Sequence, residues 1–193
     1  VFDALKGEGK RGSFTFPDQA RAAQKAGIGA AHQFNVPKDM TLVGTAGHLH
    51  PGGLYDDLTV TRGGNTKLLF RSEAKYFEPA GAVSWDVAMT ATKPDWRVAV
   101  HPGDTLNVHA TYDTRHASWY EVMGIMVIFY ADTVTPDAKD PFTQPVDTTG
   151  EVTHGHLKEN DNHGGVKELG LPDARRLLNG ATTKNVLIEN FIY

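Results

Sequence analysis

The fold is decided by the stretch LYDDLTVTRGGNTKLLFRS, which runs from Leu54 to Ser72. Apolar and polar residues alternate over 54–62, which is the period of a strand with one buried face. Gly63-Gly64-Asn65 follows, and these residue types accept the backbone angles that a tight hairpin turn requires. The stretch therefore predicts two antiparallel strands, 54–62 and 66–72, joined by a hairpin.

Further strand candidates, separated by Gly, Pro and Asp turns, occur on both sides of this hairpin. They lie at 41–50, 82–90, 97–100, 105–112 and 123–130. Six or seven short strands at a spacing of roughly 8–15 residues are typical of sandwiches and jelly rolls. We therefore predict an all-β fold, an antiparallel β-sandwich of jelly-roll type over residues 39–132.

Two segments flank this unit, an N-terminal segment over 1–38 and an irregular, His- and Gly-rich extension over 133–193. Residues 18–26 of the N-terminal segment form either a short helix or a loop. The predicted elements of the extension are a surface loop at 137–149, a His-rich loop at 153–165, a short helix at 172–178 and a final strand at 186–193.

The composition excludes several classes of protein. The 193 residues are 40% hydrophobic and 22% charged, which is ordinary for a globular chain. The net charge of −4 and the lack of a basic block argue against nucleic acid as a partner. No apolar run reaches the length of a membrane-spanning helix. With no cysteine, the chain has no zinc-thiolate site, iron–sulfur cluster or cysteine nucleophile.

The strand predicted at 41–50 carries two histidines, His48 and His50, immediately before Pro51-Gly52-Gly53. Residues two apart on a strand share a face, so both imidazoles point the same way at the rim of a sheet. They are either turn-capping histidines or the first two ligands of a metal site. A thioether from Met123 would complete a site suited to copper, although Met123 also fits a core position.

A cupin-type site is a second interpretation of the same pair. Cupins use a His-x-His strand, and His101-Pro102-Gly103-Asp104 with His109 loosely resembles their second motif. The glutamate that should follow the His-x-His pair is absent, and Asp56 and Asp57 are the nearby acids. The match to cupins is therefore partial.

A second resemblance includes the methionine and covers about residues 38–132. Its residues are Gly103-Asp104, Asn107, Thr111, Arg115-His116, Glu121-Val122-Met123 and Tyr130. This pattern resembles the C-terminal domain of the copper type II, ascorbate-dependent monooxygenases, such as peptidylglycine alpha-hydroxylating monooxygenase. The resemblance implies copper bound by His48, His50 and Met123, an open position for dioxygen, and a reductant such as ascorbate.

The chain also departs from that family. Ala46 replaces an arginine that binds a peptide carboxylate, and Val127 replaces a tyrosine. Too few residues precede His48 for the family's second copper domain. We therefore do not expect peptide amidation, nor two-copper chemistry within this chain alone.

Other histidines form a second group of candidates. His154, His156 and His163, with Glu159 and Asp161 nearby, predict a second metal site, a loop that folds back to give the first site another ligand, or a polar loop. His109 and His116 are expected to be structural, to support the ligands by hydrogen bonds, or to act as alternative ligands. His32 and His101 are treated as ordinary polar positions.

The leading hypothesis is a copper-binding domain of a longer oxidative enzyme. The alternative is a non-catalytic extracytoplasmic module that stores copper, transfers electrons or self-assembles, and a cupin-type iron or manganese enzyme comes third. The start at Val1 is expected of a processed product or a fragment. Expected partners are dioxygen, a reductant, and a further domain or second copy, in an extracytoplasmic or secreted location.

Overall fold

A computed structural model describes residues 1–76, 81–83, 87–152 and 183–188, and most of this structure is β-strand. The elements, in chain order, are β1 Phe2–Ala4, β2 Ser13–Phe16, α1 Ala22–Ile28, β3 Gln33–Asn35, β4 Met40–Leu49, β5 Gly53–Arg62, β6 Asn65–Tyr76, a 3₁₀ turn Gly81–Val83, β7 Val87–Thr92, β8 Val98–Val100, β9 Thr105–Asp113, β10 Trp119–Val122, β11 Gly124–Ala131, β12 Gly150–Val152 and β13 Thr183–Ile188.

Most of these strands form one continuous antiparallel sheet that folds over on itself. Its order is β13-β11-β4-β7-β6-β5-β9-β2, with β12 paired to β7, β8 to β4 and β3 to β9. Strand β6 belongs to both halves of the folded sheet. Its residues 65–73 pair with β5 in one half, and residues 74–76 pair with β7 in the other. The predicted all-β sandwich is confirmed, whereas the jelly-roll topology stays a prediction.

The hairpin predicted at Gly63 and Gly64 is confirmed. Arg62 pairs with Asn65, so the two glycines alone form the turn, with φ angles of 54° and 81°. Positive φ at both central residues gives the turn type whose twist matches that of the flanking strands.

Strand β5 buries every second residue. Asp56, Leu58 and Val60 are 0% exposed, whereas Asp57 and Thr59 on the other face are partly exposed. This is the period of a strand with one face toward a core. Two of the three inward side chains are apolar, and the third is a carboxylic acid.

The main apolar core lies between the two halves of the sheet. Its buried side chains are Val36, Met40, Leu42, Leu58, Val60, Leu69, Phe70, Trp96, Val98, Val100, Leu106, Val108, Met126 and Ile128. Phe142 and Val146, from the loop predicted at 137–149, pack against this cluster. Burial of each large apolar side chain contributes about 1.5–3 kcal/mol, which makes this cluster the main source of stability.

The residues that flank the predicted unit pair with it. Strands β2 and β3 pair with β9, and β1 pairs with β10. Strands β12 and β13 pair with β7 and β11. The predicted final strand is confirmed over 186–188, while residues 189–193, the predicted helix at 172–178 and the His-rich loop lie outside the described residues.

The strand predicted at 82–90 is wrong at its start, because residues 81–83 form a 3₁₀ turn and β7 begins at Val87. Of the two alternatives for residues 18–26, the short helix is confirmed: after a turn, helix α1 runs from Ala22 to Ile28, and Gly29 caps its end. In the described part of the chain, no helix has the length and apolar character needed to cross a membrane.

Asp104, one of the residues quoted for the monooxygenase resemblance, anchors a turn. Its side chain is buried and accepts two hydrogen bonds from Arg62, at 2.6 Å from Nε and 2.9 Å from Nη2. It also accepts the backbone N–H of His101 at 2.9 Å. Such bidentate pairs are geometrically specific, so Asp104 fixes the entry into β9.

Candidate metal centre

The pairing of β4 with β11 brings the His-x-His motif and Met123 together. His48 lies opposite Ile125, and the residue after His48 lies opposite Gly124. Directly opposed residues of an antiparallel pair share a face, and alternate residues of a strand return to it. His50 and Met123 occupy the next positions along the two chains. The three predicted ligands are therefore carried by neighbouring segments at one end of the β4–β11 pair.

The two imidazoles of this face lie close together. The ring centroids of His48 and His50 are 5.5 Å apart, with the ring planes at 90°. An imidazole nitrogen lies about 2.0–2.1 Å from a metal such as zinc, so both rings are within reach of one ion. His48 is exposed, whereas His50 and Met123 are half-buried. The face is therefore accessible to solvent on the side of His48.

The protonation of His50 suits a metal ligand. Burial lowers the pKa of His50, and the charge of His48 lowers it further. A lowered pKa favours the neutral imidazole at neutral pH, and the neutral imidazole is the form that binds metals.

The turn that follows His50 is held by several contacts. The N–H of Gly53 donates to the carbonyl of His50 at 3.0 Å, and the Tyr76 hydroxyl donates to the carbonyl of Gly53 at 2.7 Å. Gly52 has a φ of 90° and lies under the Trp119 indole, where a Cβ would come within 2.3 Å of the ring. Only glycine fits there, so the end of β4 is closely defined.

A buried carboxylic acid lies beneath this face, inside the sandwich. A Cβ on Gly47 would come 2.7 Å from Oδ2 of Asp56, and a Cβ on Gly124 would come 3.0 Å from Oδ1. Neither oxygen has a hydrogen-bond partner of standard geometry among the described residues. Burial raises the pKa of Asp56 well above its ordinary value, and the backbone N–H groups of His48 and Ile125 oppose this shift. Burial therefore favours the neutral form of this acid.

A buried tyrosine connects the two ligand segments. The hydroxyl of Tyr112 accepts the backbone N–H of His50 at 3.0 Å and donates to the backbone carbonyl of Met123. Its side chain is 0% exposed, and burial raises the pKa of Tyr112 well above its ordinary value. Neither Asp56 nor Tyr112 was a predicted site residue, although Asp56 was named as an acid near the His-x-His pair. The pattern that could have identified it is the alternation along β5, which puts this acid on the buried face.

The other two candidate histidines lie elsewhere. The ring of His109 is in contact with Asp18 Oδ1, 3.1 Å from Nδ1, and with Thr59 Oγ1, 3.3 Å from Nε2. His116 is exposed in the bend between β9 and β10. The described contacts bring neither residue to the His48–His50 pair.

The second predicted cluster lies outside the described residues. His154, His156 and His163, together with Glu159 and Asp161, all fall between residues 153 and 182. A metal site or a polar loop in this segment stays a prediction.

Across residues 1–76, 81–83, 87–152 and 183–188, no three side chains of the His, Cys, Asp and Glu types are placed to hold a metal ion. Asp57, an acid near the His-x-His motif in sequence, accepts two hydrogen bonds of 2.7 Å from Arg71 instead.

No protein-family model matches the chain, and no curated protein sequence matches it significantly. The function is therefore inferred from the fold and from the side chains of the β4–β11 face.

Proposed function

We propose that this chain binds copper through His48, His50 and Met123 and is the copper-binding unit of an oxidoreductase. The observation that carries the proposal is the register of β4 and β11, in which His48 lies opposite Ile125 and the ladder ends one residue before both His50 and Met123. The separation of 5.5 Å between the imidazole rings supports a shared ion. The resemblance to copper monooxygenases implies the same three ligands.

The chemistry of these donors fits copper better than other common metals. Imidazole nitrogen suits both Cu(II) and Cu(I), whereas a thioether is a soft ligand that prefers Cu(I). Copper held by such a set supplies a one-electron redox couple, through which dioxygen can react with an external reductant. The roles of the chain's own residues are to hold the ion, with burial lowering the pKa of the half-buried His50, and to leave one side open beside the exposed His48.

Copper binding by the purified protein tests the proposal. We expect one Cu(II) per chain on the β4–β11 face, with nitrogen hyperfine structure in the EPR spectrum. The double variant His48→Ala/His50→Ala should lower this affinity by more than about 100-fold, because loss of an outer-shell partner alone costs roughly 10–100-fold. His101→Ala is the control. The Nδ1 atom of His101 lies 2.7 Å from Oδ1 of Asp39, and this pair is not part of the His-x-His motif.

Two outcomes would contradict copper binding at this face. The first is a wild-type protein that takes up no copper. The second is a double variant that binds copper as tightly, and with the same EPR spectrum, as the wild type. Oxygen consumption with ascorbate then separates the oxidoreductase from a module that only binds copper, for which none is expected.

Met123→Leu should weaken Cu(I) binding by at least about tenfold and change Cu(II) binding little, because the thioether prefers the reduced ion. The exchange of Met for Leu conserves volume, so its effect on stability should stay below about 1.5 kcal/mol. Met126→Leu is the matched control, because Met126 lies on β11, the strand that follows Met123, but is 0% exposed in the core. Competition with a Cu(I) chelator measures the effect. Equal losses for both oxidation states would exclude Met123 as a selective ligand.

A further inference from the structure

We infer that the hydroxyl of Tyr112 is the positioning group of the candidate copper site, because it joins the backbones of His50 and Met123. This inference rests on the proposed copper function. It assigns a role to a residue that is not itself a ligand and that lies in the opposite half of the sandwich.

The β4–β11 ladder ends just before the two ligand candidates. Its last pair joins Leu49 to Gly124, while His50 and Met123 lie one position further on. At that position the Tyr112 hydroxyl accepts the N–H of His50 and donates to the carbonyl of Met123. The hydroxyl thus takes the place of a direct cross-strand hydrogen bond.

This replacement sets the width of the site. In a direct bond the nitrogen and oxygen are about 2.9–3.0 Å apart, whereas the hydroxyl inserts one more atom between the backbones. Opposed side chains of a regular ladder start only about 4.5–5.5 Å apart at Cβ. The inserted hydroxyl holds the chains further apart where an imidazole and a thioether must accommodate an ion between them.

The position of the hydroxyl is itself fixed by packing. The Tyr112 ring is completely buried and meets the Phe2 ring edge-on, with centroids 5.5 Å apart at 88°. Phe14 and Phe16, both 1% exposed, belong to the same apolar cluster. Because a close-packed ring cannot turn away, its hydroxyl is a rigid spacer between the two ligand segments.

Tyr112→Phe removes only this hydroxyl and tests the inference. We expect copper uptake to remain, Cu(I) affinity to fall by about 10–100-fold as for other groups that orient ligands, and the Cu(II) EPR parameters to change. The matched control is Thr41→Val. The Thr41 hydroxyl is also buried, and it bridges the N–H of Thr135 and the carbonyl of Thr133, each at 2.8 Å, at the far end of β4.

The inference is supported if Tyr112→Phe lowers the Cu(I) affinity and changes the Cu(II) spectrum while Thr41→Val binds copper like the wild type. The stability of Thr41→Val is measured alongside. The inference is overturned if Tyr112→Phe keeps the wild-type affinity and spectrum, or if Thr41→Val loses as much Cu(I) affinity as Tyr112→Phe. A wild-type protein without copper uptake would instead overturn the proposed function. If Tyr112→Phe does not fold, hydrogen exchange in the wild type decides: the amide of His50 should be protected, and fast exchange overturns the inference.

Discussion

As the pH rises above about 4, the free energy of unfolding of the copper-free protein should fall relative to that of its Asp56→Asn variant. We expect the difference to grow by about 1.4 kcal/mol for each pH unit. Burial raises the pKa of Asp56 well above its ordinary value. Below that ordinary value the acid is protonated in both the folded and the unfolded chain. As the pH rises, the unfolded chain releases this proton and the folded chain keeps it, so unfolding becomes more favourable until Asp56 ionises in the fold.

The comparison with Asp56→Asn isolates this effect. Asparagine has nearly the same shape and cannot ionise, so the contribution of residue 56 to the pH dependence disappears. The pKa values of Asp113 and Asp147 are lowered by hydrogen bonds, and that of His50 by burial, so these groups change stability in the opposite direction. Because they are present in both proteins, their contributions cancel in the difference.

Urea unfolding at a series of pH values between 4 and 8 measures the difference. Asp57→Asn is the control, because Asp57 lies on the outer face of β5 and pairs with Arg71. Loss of this ion pair should lower the free energy of unfolding by about 0.2–1 kcal/mol. Above about pH 5 the Asp57→Asn variant should keep the pH dependence of unfolding that the wild type shows. Parallel stability curves for the wild type and Asp56→Asn would exclude a neutral Asp56 in the fold.

Gly124→Ala should destabilise the protein by about 3 kcal/mol, the upper end of the usual range for overpacking. A Cβ at this position would lie 2.1 Å from the Cβ of Ala110 and 3.0 Å from Oδ1 of Asp56. Ala110 has no flexible side chain that could move aside, so the two halves of the sandwich would have to separate. Thermal or urea unfolding measures the loss.

Gly27→Ala is the control for this substitution. Gly27 lies in helix α1, and no heavy atom lies within 4 Å of the position that its Cβ would occupy. Alanine there should be neutral or stabilise by up to about 1 kcal/mol. A Gly124→Ala protein within about 0.5 kcal/mol of the wild type would mean that the two halves do not meet at this glycine.

Local patterns were sufficient to predict much of the fold. Alternation along β5 and the turn residues Gly63 and Gly64 depend on neighbours in sequence, and both predictions are confirmed. The strand expected at 82–90 failed at its start. A short apolar stretch does not distinguish a strand from a 3₁₀ turn when tertiary contacts decide the backbone angles. The strands of residues 1–38 were mostly missed, since three- and four-residue strands form only by pairing with β9 and β10.

For the candidate site, too, some features follow from local sequence and others depend on tertiary contacts. The sequence by itself determined an all-β sandwich and the shared face of His48 and His50, because strand period and turn chemistry act over a few residues. Only the tertiary structure decided that the Tyr112 hydroxyl joins the backbones of His50 and Met123, and that Asp56 lies against Gly47 and Gly124. These contacts depend on the register and packing of different strands, such as the hydrogen bond between Tyr112 and His50, which are 62 residues apart, and no local pattern specifies them.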